Sequence, residues 1–381
     1  MEFRWDPDEQ RFSDEMEAFF RQRPAKDASA AEHRAFREEL YRRGLPTMHW
    51  PEEHGGSGAG HMRQLLLKET AHRYGVQIGT SATTMVGPTL MLHGSPEQRE
   101  AFLPRIATGE IEWCQGFSEP GAGSDLASLQ TRGDRVGDDY VVNGQKVWTS
   151  NAHKSDWIFV LVRTDKDAPK HRGISYLLAD MRTPGIRIQP LINLAGEHGF
   201  NEVFFDDVHV PVANRVGEEN RGWYVATTTL DFERSGIERV LTADGDLVRL
   251  EDHVREQKRD GKPSQPEEAA KRGRMAELRI QTEVSRLLAH RVAWMQSQDL
   301  VPNYEASMAK MFGSDVGQRV AQEGANLDGM YGQLAPGEPS APLDGALAFR
   351  YLDSLRLTIG QGTGEIQRNV IATRGLGLPR G

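Results

Sequence analysis

The chain has 381 residues, a formal net charge of −9 and one cysteine. That length accommodates two or three domains, and the acidic balance argues against a nucleic-acid surface or a polybasic membrane anchor. The lone Cys114 excludes an intrachain disulfide and no apolar run approaches the roughly 20 residues of a membrane span, so a soluble, cytoplasmic protein without an integral membrane segment is expected.

The first hundred or so residues read as helices broken by turns, with a Pro/Gly-rich loop at His49 to Gly60. Residues 1–17 are acidic and lack the basic start and apolar stretch of a secretory signal. From Ile111 the period changes. Tyr140–Val142, then Asn143–Gly144, then Lys146–Trp148 predicts a hairpin, because Asn-Gly favours a type I′ turn. Further strands are expected at Trp157 to Val162, Gly173 to Leu178, Gly185 to Ile188 and Glu202 to Val210. After Gly222 helical patterning returns. The middle of Arg249 to Arg274, with Gly261, Pro263 and Pro266, reads as an exposed connection, and Lys271 to Met295 as a long amphipathic helix. A second break falls at Gly332 to Pro342, and the last helix is expected from just after Thr363 to Gly375. Three domains follow: 1–110 helical, 111–219 β, 220–381 helical.

Two segments carry the chemistry. In QGFSEPGAGSD, Gln115 to Asp125, Gly121 and Gly123 allow close backbone approach while Ser118 and Ser124 offer hydroxyls. In NGQKVWTSN, Asn143 to Asn151, Trp148 offers a flat face beside Thr149 and Ser150. Together they suit a flat, partly polar cofactor; taken singly, each also reads as a glycine-rich turn with capping serines. Cys114, close by, reads as a small buried filler and not a nucleophile. Glu233 shares a helical stripe with Leu230 and Ile237, where desolvation would raise its pKa toward that of a useful base; a Glu paired with a cation on a wet helix face is the alternative.

These segments, with HWPEEHGGSG at His49 to Gly58 and GTGEIQRNVIATRGLGLPR at Gly362 to Arg380, resemble the acyl-CoA dehydrogenase family over nearly the whole chain. The resemblance implies an α+β multi-domain fold: an N-terminal α-helical domain, a middle β domain of barrel or sandwich type and a C-terminal four-helix bundle. It implies an enzyme that binds FAD, makes a trans-2-enoyl thioester from an acyl-CoA or acyl-carrier-protein substrate, and passes electrons to an electron-transfer flavoprotein. By the same resemblance, Gln115, Phe117, Ser118, Gly123, Ser124, Trp148, Thr149, Ser150, Thr363 and Glu365 would contact FAD, and Ser124, Asp231 and Arg234 the substrate, with no metal ligands. Many members carry the catalytic glutamate just before the Gly-Thr of the C-terminal motif, where this chain has Gln361. A smaller group carries it on the helix opening the C-terminal domain, directly before an arginine, and Glu233-Arg234 falls there. The family's Arg-x-x-Phe-Gly motif has no clear counterpart, Lys258 and Arg259 lying roughly there, and its Gly-Gly becomes Gly329-Met330. A homo-oligomer, dimer or tetramer, is expected. A partner subunit of a heteromeric dehydrogenase, or a flavin oxidase or monooxygenase on the same scaffold, are the alternatives.

Overall fold

The computed structural model describes residues 5–234, 236–259, 268–298 and 300–379. The expected connection around Gly261, Pro263 and Pro266 lies outside the described residues, as do the side chains of Lys258 and Arg259. The chain divides into two compact units, Met1–Leu67 with Val76–Glu233, and Lys68–Gly75 with Arg234–Gly381.

In the first unit, α1 (Pro7–Phe20), α2 (Ala30–Arg42), α3 (Gly60–Arg73, whose last turns belong to the second unit), α4 (Gly87–His93) and α5 (Pro96–Ala107) precede the sheet. Local sequence sets their starts. Ser29 and Glu32 close a capping box on α2, and Ser95, Pro96 and Gln98 do the same on α5. The Gln98 amide then donates to the carbonyls of Ala213 and Arg215 at 2.7 and 2.9 Å, pinning α5 to the turn that leads into the last strand of the sheet.

The sheet has eight strands: β1 (Trp113–Gly116), β2 (Arg132–Val136), β3 (Asp139–Lys146), β4 (Trp157–Arg163), β5 (Ile174–Asp180), β6 (Ile186–Leu191), β7 (Phe200–Pro211) and β8 (Arg215–Val216). Their order is β6-β7-β3-β2-β4-β5-β8, with β1 parallel to β4. Residues Ile158 to Val162 are fully buried, which explains an uninterrupted apolar run, whereas β7, paired with both β6 and β3, alternates buried and open positions.

Asn143-Gly144 is not a hairpin turn. β3 runs straight through it, and the register against β7 shifts between Val142 and Gly144 as a bulge. Asn143 exchanges bonds with Asp207, whose backbone is left-handed, across that bulge. Gly144 has φ +150°, and a Cβ there would stand 2.6 to 2.8 Å from Thr131, so the dipeptide serves a kink in a long strand. The tight turn sits instead at Gly137-Asp138, between β2 and β3.

Helix α6 (Gly222–Arg234) follows the sheet, burying Val225 and Ala226 with Leu230 packed against the same core as Phe117, Phe159 and Tyr176. Its start lies against β5. A Cβ on Gly222 would come within 2.4 to 2.7 Å of the backbone of Ser175 and Tyr176, so only glycine fits. Thr229 on α6 reaches Thr89 on α4 at 2.9 Å.

The second unit holds α7 (Glu238–Arg259), α8 (Glu268–Ser297), α9 (Tyr304–Leu327), α10 (Ala346–Ser354) and α11 (Gly364–Val370). Leu247 and Leu250, Leu278, Val316 and Val320, and Leu347 form a core shared by α7 to α10. The amphipathic prediction for α8 holds, and the final helical segment runs to Gly375, its last turn wider than an α-helix.

Candidate functional site

Where β1 and β3 leave the sheet their chains run side by side: the Val147 N–H donates to the Ser118 carbonyl at 2.9 Å. Lys146, wholly buried, clamps this junction by donating to the Phe117 carbonyl at 3.1 Å and to Glu119 Oε1 at 2.7 Å. Glu119 also accepts from the backbone N–H groups of Gln130 and Thr131, at 2.6 and 2.9 Å. Burial pushes the Lys146 pKa down to about 8, against the pull of Glu119. Burial would raise Glu119, but Lys146 and the backbone donors outweigh it and hold the carboxyl below its usual range, so the pair is ionised at neutral pH. Sequence reasoning missed both residues. The available signal was a lysine on the buried side of a strand, facing the one acid of the SEPG turn.

Beyond Val147 the chain turns sharply. Trp148 has a left-handed backbone, φ 61°, and an indole 56% exposed that meets Phe200 edge-on. Such a conformation in a bulky residue is strained and collects at functional sites. Thr149 is fully buried, its N–H bonded to the Asn201 carbonyl and its own carbonyl to the Asn201 amide, each at 3.0 Å. Its hydroxyl, like the Gln115 Nε2, is buried without a hydrogen-bond partner. Native proteins seldom leave such atoms unsatisfied unless water or a ligand completes them. Phe117 is buried edge-on to Phe159 and Tyr176, Ser118 is half-buried, and Gly123, Ser124 and Ser150 are exposed. The structure thus joins the two predicted segments side by side, and between them they carry a flat exposed ring, open hydroxyls and two buried, orphaned polar atoms, a set that fits a flat ligand with a polar edge. Cys114, on β1, is 1% exposed and its thiol is pushed by burial up to about 12.

Asp231 and Glu233 lie in the last turn of α6, both half-buried. The expected stripe is only partly realised: Leu230 packs on the core, but α6 ends at Arg234 and a new helix begins at Glu238. Ile237 therefore caps the next helix, accepting from the N–H groups of Val240 and Leu241, and is not a helical neighbour of Glu233. The Arg234 side chain lies outside the described residues.

In the second unit Gln361 is left-handed, φ 59°, and its side-chain carbonyl accepts from both Arg239 Nε, at 2.9 Å, and Nη2. Gln367 donates to the Gln361 carbonyl and the buried Lys310 to the Gly362 carbonyl, at 3.1 and 2.7 Å, so the turn is braced from three sides. Thr363 caps α11 by accepting from the Ile366 N–H at 3.3 Å, and Glu365 is exposed in the first turn. Its own backbone N–H, then Thr363, hold its carboxyl below the usual range. Among the described residues no helix is long and apolar enough to cross a membrane.

Three domain models of one family match in order: the acyl-CoA dehydrogenase N-terminal domain over residues 6–110, the middle domain over 114–208 and the C-terminal domain over 220–376. Acyl-CoA dehydrogenase FadE34 of Mycobacterium tuberculosis is 38% identical over 94% of this chain, which spans only 49% of that relative. Among solved structures, the Tcur3481-Tcur3483 steroid ACAD matches with a TM-score of 0.89 at 32% identity, covering all of both chains. The ChsE4-ChsE5 complex from Mycobacterium tuberculosis matches with a TM-score of 0.88 at 34% identity, again over both whole chains. With all three domain models in register on these folded units, the chain belongs to the acyl-CoA dehydrogenase family, whose members are flavin-dependent oxidoreductases.

Proposed function

We propose that the chain is an FAD-dependent acyl-CoA dehydrogenase that removes the α proton and β hydride of an acyl thioester to give the trans-2-enoyl product. The observation that carries this is the junction of Phe117–Ser118 with Val147–Ser150, in which Thr149 Oγ1, next in the chain to the exposed Trp148, is buried and unpartnered, as is Gln115 Nε2 on the strand that leads into Phe117. These groups suit the polar edge and the face of a flavin ring. When bound, FAD supplies the hydride acceptor for the β carbon and passes the electrons on to an electron-transfer flavoprotein. Glu233 takes the α proton onto its carboxylate. Gln361 is a neutral amide whose carbonyl already accepts from Arg239, so it has no basic atom to offer. Ser124 and Asp231, with Arg234, would bind the acyl carrier, and Thr363 and Glu365 would contact the dinucleotide. The steroid named for one structural neighbour makes a bulky, ring-bearing acyl group the favoured substrate class.

A second reading, favoured by particular observations, makes this chain one of two unlike subunits. Both solved neighbours carry two component names, and FadE34 is about twice as long as the stretch this chain matches. The family's Gly-Gly is replaced by Gly329-Met330, with Met330 84% exposed beside an Asp328 carboxylate engaged by His253 and Gln257. An exposed apolar stripe on α8, of Ile280, Val284, Leu287 and Trp294, supports an oligomer of either kind.

The test is anaerobic titration with acyl-CoAs of graded length and ring content, read by flavin bleaching, with FAD counted per chain and mass measured by light scattering. Bleaching with one FAD per chain in a homo-oligomer supports the first reading, and gain of FAD only on addition of a second polypeptide the second. Rapid oxygen consumption with peroxide release would mark an oxidase and refute both.

A further inference from the structure

Asn201 is fully buried on β7, and its side chain is satisfied on every side. Its Nδ2 donates to the Thr149 carbonyl at 3.0 Å and to His153 Nδ1 at 3.2 Å, and its Oδ1 accepts from His198 Nε2 at 2.8 Å. The amide orientation is fixed by the first bond, since the reverse would set two carbonyl oxygens together. His153 Nδ1 must then be an acceptor and His198 Nε2 a donor. The two imidazoles stack at 4.0 Å with 21° between planes, one from the turn after Ser150 and one from the loop before β7.

We propose that Asn201 is a positioning residue: it holds the Thr149 peptide so that Thr149 Oγ1 is presented to ligand, and the stacked His153–His198 pair fixes the Asn201 amide. The proposal rests on the reading of Thr149 as a flavin contact. Its logic follows from hydrogen-bond polarity. Protonating His153 places an N–H against the Asn201 N–H, and swinging the amide to relieve that clash breaks the bond to Thr149. Burial first, then His198 across the stack and Lys154 beside it, disfavour protonation of His153; the Asn201 side chain alone favours it, which it can do only by turning its oxygen toward the ring. Glu202 on the same strand is engaged by Gln145 at 3.0 Å. The neutral, positioned form therefore prevails at neutral pH and is lost on acidification below the ordinary histidine range.

Two measurements test this. In the apoprotein, hydrogen exchange over residues 147–152 is expected to speed up in Asn201→Ala relative to wild type. FAD titration between pH 5.5 and 8 is expected to show binding at least about fivefold weaker in Asn201→Ala, as for a buried carbonyl left unpaired. Wild-type affinity should fall toward the acid end, and His153→Gln, which keeps an acceptor that does not titrate, should flatten that fall. Unchanged exchange in Asn201→Ala would overturn the positioning role, and an undiminished acid slope in His153→Gln would overturn the part assigned to the histidines. If Asn201→Ala does not fold, the exposed His153→Gln still decides through exchange measured at the two pH values. A wild-type protein that takes up no FAD would sink the flavin reading alone, because the exchange comparison needs none.

Discussion

Removing the Lys146 ammonium should be among the most damaging single changes in the first unit. Lys146→Met leaves Glu119 buried, 7% exposed at its side chain, with its two backbone donors but without the cation at 2.7 Å. Stranding one partner of a buried pair costs about 3–5 kcal/mol, and the Phe117 carbonyl loses its donor as well. The double variant Glu119→Gln/Lys146→Met removes both charges and should regain part of that loss, giving a coupling of about 1–3 kcal/mol. The acid limb supplies a second reading. Glu119 has a depressed pKa in the folded state, so its contribution is complete above the unfolded value and is lost as pH falls through the folded one. Lys146→Met should shrink that acid loss, because the depression depends on the lysine. The assay is urea unfolding of wild type, both single variants and the double at pH 7 and pH 4. Single variants costing less than about 1 kcal/mol, or a double no better than the worse single, would refute the reasoning.

Glu233→Gln should retain ligand binding while slowing flavin reduction by a factor of roughly a hundred to ten thousand, whereas Gln361→Ala should cost far less; rapid anaerobic mixing reads both. Equal reduction in Glu233→Gln and wild type would place the base elsewhere. The purified protein should be yellow and release free FAD on acid precipitation, and colour retained in the pellet would show a covalent link. Gly222→Ala should lower soluble yield and thermal stability, since the added methyl meets backbone of β5 and not a movable side chain; a midpoint unchanged within error would show that α6 shifts freely.

The order of helical, strand and helical regions was legible because the hydrophobic period changes abruptly near Ile111 and again after Gly222. Strands β4 to β7 were found within a few residues, since β4 and β5 carry long apolar runs and β6 and β7 alternate. Asn143-Gly144 misled because local turn preference competes with pairing along β7, and the pairing won by absorbing the dipeptide as a bulge. Strand β2, with four of five positions exposed, offers no apolar pattern to read. Trp148, Thr149 and Ser118 were identifiable as a motif, but the residues that hold them were not. Lys146 and Glu119 reach partners between 11 and 29 positions away and Asn201 reaches Thr149 at 52, a relation that spacing alone does not encode. The stripe through Glu233 failed at Ile237 because α6 ends at Arg234, three residues short of it.

Cys114 has a consequence for watching this molecule at work. It sits on β1, just ahead of Gln115, and its thiol is both shielded and held far from its reactive thiolate form. A folded chain should thus ignore thiol reagents, and each labelling event should report a moment when β1 has parted from β4. Because no other cysteine competes, the rate of that slow reaction measures how often the strand leading into the Phe117–Ser118 turn opens. A ligand seated against Gln115 and Thr149 should slow it, which gives occupancy a clock that needs no colour, no turnover and no engineered probe.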